Sequence, residues 1–429
     1  MTARAAFAPR RGACPGLSAP MQTGDGLLVR LLPIGTVPLA AFVSLCAAAR
    51  QHGNGIMEIT ARGSIQIRGL NTASAPLFAD AVAALDIAAA DGIPVFANAL
   101  AGLDPEEIFD AGKLAADLRR ALSQKSLAAR LAPKISVAVD GGGELNLDGL
   151  AADVRLRAEM SNGTVVLNVG VGGAGAGTAR IGVIAIADAV EAVICLLDVA
   201  ARRGPDVRAR DIVAAEGIAE FRSAGADLWM ADIHPPAART PYEAIGKHRL
   251  RDGSLACGLG LPFGHADATM FERLADSAAE AGVIGFRAAP GRVLMIIGLT
   301  RASAAAFTAA AEWLGFIVDA NDPRRRVVAC AGAPICASAH IPARSIAPLI
   351  AESIAPLTDG RLKIHISGCA KGCAHPGRAA LTAVGIPDGC ALVANGSARD
   401  TPFATVATDE LAAAITRYAR EATREESHV

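Results

Sequence analysis

The sequence predicts an α+β protein made of two copies of one unit, each a strand–helix–strand segment followed by a larger α/β lobe. Two observations carry this. Gly35, Phe42, Leu45, Gly53, Gly69 and Leu70 recur at a constant spacing as Gly264, Phe271, Leu274, Gly282, Gly298 and Leu299. The same spacing relates Pro105 to Pro334 and Lys134-Ile135 to Lys363-Ile364. Chance matches in an alanine-rich chain would scatter over many spacings, whereas a single one over roughly 100 residues marks a duplication. Within each copy, apolar residues switch between the two-residue period of strands and the longer period of helices. Copies related by a pseudo-twofold axis leave a cleft between lobes, a usual place for a large ligand.

Taken in order, the first 24 residues read as irregular around Cys14-Pro15-Gly16. Cys14 is either a further metal ligand or an incidental loop cysteine. A strand carries Leu27, Leu28, Val29 and Arg30, and Pro33 and Gly35 then turn the chain. Leu39, Phe42, Val43 and Cys46 have helical spacing, so a helix is predicted over 37–51 with Gly53 as its stop. A second extended stretch covers 56–70. In the first lobe, helices are predicted over 77–90 and 105–130, with a loop over 96–105 between them, and strands over 135–139 and 165–171. The run Gly172-Gly-Ala-Gly-Ala-Gly177 lacks both phosphate-loop and dinucleotide spacing and reads as a flexible loop. Residues 181–200 read as a packed helix, because Asp188, Glu191 and Asp198 disqualify a membrane span. Residues 201–245, with Arg202, Arg203, Arg208 and Arg210 and then Pro235-Pro236, read as a connector. A last helix follows Asp409. The expected domains are therefore 25–75, 76–239, 240–301 and 302–429.

Composition excludes several classes of function. Hydrophobic residues make up 52% of the 429 and charged ones 19%, enough for a sizeable core and against wholesale disorder. A net charge of −1 gives no general attraction to nucleic acid or to anionic membrane, so anionic ligands need locally placed Arg and Lys. Two Trp and two Tyr leave little for base stacking. Nine cysteines, an odd number, point to free thiols or metal ligands in a reducing cytoplasm.

Four of those cysteines form the sharpest motif: Cys330-x5-Cys336 and Cys369-x3-Cys373. A four-iron cluster needs one thiolate per iron from backbone that comes close, and Gly332, Pro334, Gly368 and Gly372 permit tight loops. The alternation in Leu362-Lys-Ile-His-Ile-Ser367 puts the second pair at the end of a strand. Two unrelated pairs of free thiols is the plainer reading. Zinc is another, although its pairs are usually closer in sequence than Cys330 and Cys336.

These cysteines, with Thr60-x-Arg62-x3-Gln66-x-Arg68, Leu100-Ala-Gly-Leu-Asp-Pro105 and the duplication, resemble the sirohaem-dependent nitrite and sulfite reductases over about residues 25–395. The resemblance implies a ferredoxin-like central domain flanked by two α/β lobes. It also implies a 4Fe-4S cluster on Cys330, Cys336, Cys369 and Cys373, with Cys373 next to the tetrapyrrole. Arg30, Arg62 and Arg68 fall where relatives hold tetrapyrrole carboxylates, a task suited to the guanidinium fork. Lys134 and Asn98 would also face that ligand.

Two departures redirect the function. The reductases usually carry a second lysine where this chain has Ser136, and an arginine where it has Asp91-Gly-Ile-Pro-Val95. A site short of those cations holds sulfite or nitrite poorly. The chain is also shorter than most of the reductases. The resemblance is therefore nearer to the branch of the family in aerobic cobalamin biosynthesis, where the tetrapyrrole precorrin-3A is itself the substrate. That branch implies an NADH-linked monooxygenase: oxygen hydroxylates the macrocycle, an acetate side chain closes a γ-lactone, and a mononuclear non-haem iron assists. His340, His365 and His375 are candidate ligands for that iron or ordinary packing histidines, and no residue is assigned to catalysis. The competing readings are a sirohaem-dependent sulfite or nitrite reductase, and a non-catalytic iron–sulfur carrier.

Overall fold

The computed structural model describes residues 15–124, 127–230, 236–357, 362–375 and 377–426. Cys14 and Pro235 lie outside them. The first half-unit runs β1 (Met21–Thr23), β2 (Gly26–Leu31), β3 (Val37–Pro38), α1 (Leu39–His52), β4 (Ile56–Ile59), β5 (Ile65–Leu70) and α2 (Ser74–Ala83). The stretch over 56–70 is a hairpin, closed where Thr60 N donates to Ser64 O at 2.9 Å. Gly63 in its turn has φ +78, and a Cβ there would meet the Ala289 carbonyl carbon at 2.8 Å, so only glycine fits. Helix α2 ends before the predicted limit. Beyond it, Ala90 N donates to Leu32 O and Ile34 N to Ala88 O, which ties 88–90 back to the first strand's exit.

The first lobe contains β6 (Val95–Ala97), α3 (Ala111–Gln124), β7 (Val137–Asp140), β8 (Ala152–Ser161), β9 (Thr164–Gly173), β10 (Ala179–Ala185) and α4 (Ala189–Arg203). The helix predicted over 105–130 shrinks to α3 because Glu107 shapes the loop before it. Its carboxylate accepts from Gly102 N at 2.7 Å and from Ala111 N at 3.1 Å. The apolar run over 181–200 is not one helix but β10 followed by α4, since continuous apolar stretches do not separate strand from helix. No strand was predicted over 152–161, where β8 carries Asp153, Arg155, Arg157 and Glu159. Two of these have their polar groups met in place: Asp153 accepts from Arg208 Nε at 2.8 Å and Arg155 donates to Leu147 O at 2.7 Å. Part of the predicted connector belongs to this lobe as α5 (Ala209–Glu216) and α6 (Ala219–Ala224), anchored by the buried ring of Phe221.

The second copy repeats this order: β11 (Gly246–Arg249), β12 (Leu255–Gly260), β13 (His265–Asp267), α7 (Ala268–Glu280), β14 (Gly285–Ala289), β15 (Val293–Leu299) and α8 (Ser303–Trp313). Its lobe holds β16 (Val327–Ala329), α9 (Ala343–Ile354), β17 (Ile364–Ser367), β18 (Ala379–Ile386), β19 (Gly389–Gly396), β20 (Ala404–Val406) and α10 (Leu411–Glu426). The two lobe sheets share one topology, β6-β7-β8-β9-β10 and β16-β17-β18-β19-β20. In each, the first two pairings are parallel and the last two antiparallel.

The central sheets are built by exchange. Their orders are β1-β2-β5-β4-β13 and β11-β12-β15-β14-β3, so each copy lends one short strand to the other's sheet. Helices α1 and α7 pack across the join. Phe42 of α1 stacks on Phe286 with ring centroids 4.3 Å apart and meets Phe271 of α7 edge-on at 5.7 Å. The expected α+β architecture of two related copies is therefore the observed one.

Candidate functional site

Strand ends of the second lobe carry the four motif cysteines. Cys330 follows β16, while Cys369 and Cys373 follow β17. Cys336 closes a turn in which its N–H donates to Gly332 O at 2.8 Å. Gly368 N donates to Cys330 Sγ at 3.1 Å. A Cβ on Gly24 would collide with Cys336 Sγ, so the N-terminal strand edge closes over this loop. Burial raises the Cys330 and Cys373 thiols above their usual range, and neighbouring cysteines raise them further. All four thiols are free. Ionising four thiols together is unfavourable unless a multiply charged metal group accepts them. Among the described residues, no set of three or more His, Cys, Asp or Glu side chains converges on a position for a single ion. A four-iron cluster does not require that convergence, because each iron takes one thiolate. The donor set and the glycine-lined loops fit such a cluster. Cys46, Cys257 and Cys390 are buried in hydrophobic packing, and Cys195 lies half-buried on α4.

Facing these loops is a polar row that the sequence did not announce. Arg30 pairs in register with Gln66, Gln66 with Glu58, and Glu58 with His265, across β2, β5, β4 and β13. The side chains link as the register dictates. Arg30 Nε donates to Gln66 Oε1 at 3.1 Å, and Gln66 Nε2 donates to Glu58 Oε2 at 2.7 Å. Glu58 also accepts from Arg344 Nη2 at 3.0 Å and lies 3.5 Å from Arg68 Nη1. Arg68 makes a two-pronged pair with Asp25, both bonds 2.7 Å. Burial alone would raise Asp25, but the Arg68 bonds and charge outweigh it and hold its carboxyl below the usual range. Burial, together with Arg344 and Arg68, drives His265 down to about 3, so it is neutral at physiological pH. Arg68 is thus engaged with protein carboxylates. The one cue in the sequence was a lone acid, Glu58, in an apolar strand.

The other predicted residues separate into two groups. Arg62 lies beside Ser136, Nη1 to Oγ 3.4 Å, with its guanidinium carbon 5.9 Å from the Phe96 ring centre. Lys134 is exposed just before β7. Asn98 is buried and spent on structure: its amide donates to Leu145 O at 2.8 Å and its carbonyl accepts from Gly141 N at 2.7 Å. Asp140 next to it is held by Arg239 from the inter-copy segment, at 2.5 and 3.1 Å.

His365 is fully buried, and neither ring nitrogen has a hydrogen-bond partner among the described residues. Burial brings it down to about 4. Its ring lies 5.7 Å from that of His375, whose Nε2 is 3.0 Å from Arg378 O. His340 is exposed. Among the described residues, these histidines fall in no group of three or more His, Cys, Asp or Glu side chains that could hold a metal ion. Arg292 Nη2 donates to Ala374 O at 2.6 Å and fastens the loop between Cys373 and His375. A cavity of about 420 Å³ is lined by Asn321, Arg325, Arg326 and Lys363. A smaller one of about 230 Å³ in the first lobe is lined by Asp91, Gly92, Ile93 and Arg119. No helix of the described residues is long and apolar enough to cross a membrane.

Residues 19–85 match the family model of the nitrite/sulfite reductase ferredoxin-like half domain. In fold, the chain is similar to the NirA protein of Mycobacterium tuberculosis, with a TM-score of 0.77 over 93% of this chain and 81% of that one at 21% identity. In sequence, it is 24% identical to a ferredoxin–nitrite reductase of Synechococcus elongatus, over 83% of this chain and 75% of that protein. It is 38% identical over 412 residues to a precorrin-3B synthase of a Sinorhizobium species, covering 96% of this chain and 88% of that protein. With that identity over nearly its whole length, the chain belongs to the precorrin-3B synthase family.

Proposed function

We propose that this protein is an oxygen-dependent oxidoreductase that hydroxylates precorrin-3A and promotes closure of a γ-lactone, the reaction that gives precorrin-3B. The carrying observation is the 38% identity over 96% of the chain to a precorrin-3B synthase. The neighbourhood of Arg62 agrees with it. Ser136 and Phe96 offer a hydroxyl and an apolar ring, where activation of a small anion would need further cations.

In this reading Arg62 grips a substrate carboxylate, with Arg30 and Lys134 contributing charge at the rim of the cleft. Asn98 and Arg68 act indirectly by fixing the backbone and the carboxylates around them. Cys330, Cys336, Cys369 and Cys373 hold a 4Fe-4S cluster, which when bound supplies single electrons from an external donor. The balance is simple: one atom of oxygen enters the macrocycle, the other leaves as water, and two electrons and two protons are consumed. An acetate of the same bound molecule then closes the lactone, and proximity favours that step because nucleophile and electrophile are already joined. The ring of Phe96 beside Arg62 keeps that end of the site apolar and limits water.

The test is turnover of precorrin-3A with a reductant under heavy-isotope oxygen gas. One labelled atom in the product hydroxyl, no turnover without oxygen and negligible reduction of sulfite or nitrite are expected. Tightly bound sirohaem with sustained sulfite reduction would overturn this reading in favour of a reductase.

A further inference from the structure

Arg344 carries more hydrogen-bonding capacity than the polypeptide uses. A guanidinium has five N–H donors in a fixed fork. One, on Nη2, goes to Glu58 Oε1 at 3.0 Å. Nε and Nη1 are buried and have no partner among the described residues. Leaving charged donors buried and unmet is costly, so the arrangement calls for an acceptor that the described residues do not provide.

The surroundings say what that acceptor is. Arg344 lies in the first turn of α9, eight residues after Cys336. The intervening loop folds back, so that Gly332, two residues past Cys330, presses against the backbone N of Ala343. Around Arg344 lie Glu58, Arg68, Asp25 and the Cys330 sulfur, and its side chain is only 13% exposed. Asp25 is already taken by Arg68 through two bonds, and Glu58 by three partners. What remains at this place is sulfur.

We propose that Arg344 donates its Nε and Nη1 hydrogens to the sulfur atoms of the cluster held by the four cysteines, and that Glu58 is the positioning residue that aims it. This rests on the cluster assignment above. Its consequence is electrostatic. Reduction makes the cluster more negative, so a donating cation favours the reduced state and raises the potential, whereas the Glu58 carboxylate opposes it. The pair thus sets how readily the cluster accepts an electron, and hydrogen bonds to the sulfurs are one of the protein's levers on that potential.

The experiment is a spectroscopic redox titration of the full-length protein without substrate, with iron and sulfide measured on each sample. Arg344→Met should lower the midpoint potential, and Arg344→Lys should lower it less. Glu58→Gln keeps an oxygen for Arg344 but removes the negative charge, so it should raise the potential. Opposite shifts at full iron content support the proposal, because mere loosening of the loop would not move the two variants in opposite directions. Identical midpoints in wild type and Arg344→Met, or the same direction of shift for Arg344→Met and Glu58→Gln, would overturn it. If Arg344→Met loses iron, the signs for Arg344→Lys and Glu58→Gln decide. A wild-type protein purified without oxygen that lacks iron and sulfide would instead overturn the cluster assignment itself.

Discussion

Ser136 and Lys363 occupy the same place in the two copies, each just before the second strand of its lobe sheet: Ser136 O accepts from Val154 N at 3.2 Å and Lys363 O from Leu381 N at 3.3 Å. The first is fully buried, 3.4 Å from the Arg62 guanidinium, and the second lines the larger cavity with Arg325 and Arg326. Duplication supplied two equivalent positions, and they have diverged. One sets a small hydroxyl beside an arginine, while the other adds a cation to a cavity already bordered by arginines.

Arg62 should therefore matter for ligand and not for cluster. Arg62→Ala is expected to weaken binding of the polycarboxylate by roughly 1.5–3 kcal/mol, the scale of a charged hydrogen-bonding group. Titration of the protein with precorrin-3A under anaerobic conditions measures this, and iron content should stay unchanged. Wild-type affinity would place Arg62 outside the binding site.

Serine in place of Cys330, Cys336, Cys369 or Cys373 should abolish stoichiometric iron and sulfide. Cys46→Ser, Cys195→Ser, Cys257→Ser and Cys390→Ser should retain both, since these thiols sit away from the motif in helices and strands. Iron and sulfide assays on anaerobically purified variants separate the two sets.

Asp140 gives a prediction with a defined sign. Burial would raise its carboxyl, but Arg239 outweighs that and holds it below the usual range. Its stabilising contribution is present above the unfolded value near 3.8 and lost as pH falls through the lower folded value. Arg239→Gln leaves this carboxylate buried and largely uncompensated, at an expected cost of about 3–5 kcal/mol. Burial then raises the carboxyl, so the deficit relative to wild type should shrink as pH falls and the group is protonated. Denaturant melts at pH 7 and pH 5 check both.

Phe42→Ala should cost about 3–5 kcal/mol, because it empties a stacked position between the two copies. The loss should appear as one cooperative unfolding step in calorimetry. A separate early transition confined to one copy would contradict the shared core.

Much of this fold was legible in advance because the duplication preserved glycines at turns and phenylalanines in the core. The cysteine motif was legible for a similar reason, since loop backbone around a bulky group restricts which residues fit. Arg68 was read as a ligand-facing cation, and its partner Asp25, 43 residues earlier, was invisible to spacing. Glu58 and Arg344 are 286 residues apart and meet only after the second lobe docks on the first central sheet. Strand β8 was overlooked because its charges are compensated by residues that come from elsewhere. Asn98 lies in the expected loop, but its amide is committed to Leu145 and Gly141.

The reciprocal loan of β3 and β13 makes each copy one strand short without the other. Fragments cut in the segment over 236–245 would each expose an unfilled sheet edge, and the strand that best fills it belongs to the other fragment. Such fragments should recombine into a one-to-one heterodimer and stay insoluble alone. The exchange also constrains how the sequence can drift. Spacing is identical from β2 to α2 and from β12 to α8, while in the lobes it wanders by a few residues. An insertion in either central half would displace a strand in both sheets at once, so indels are tolerated only in the lobes, where a shift disturbs one copy alone.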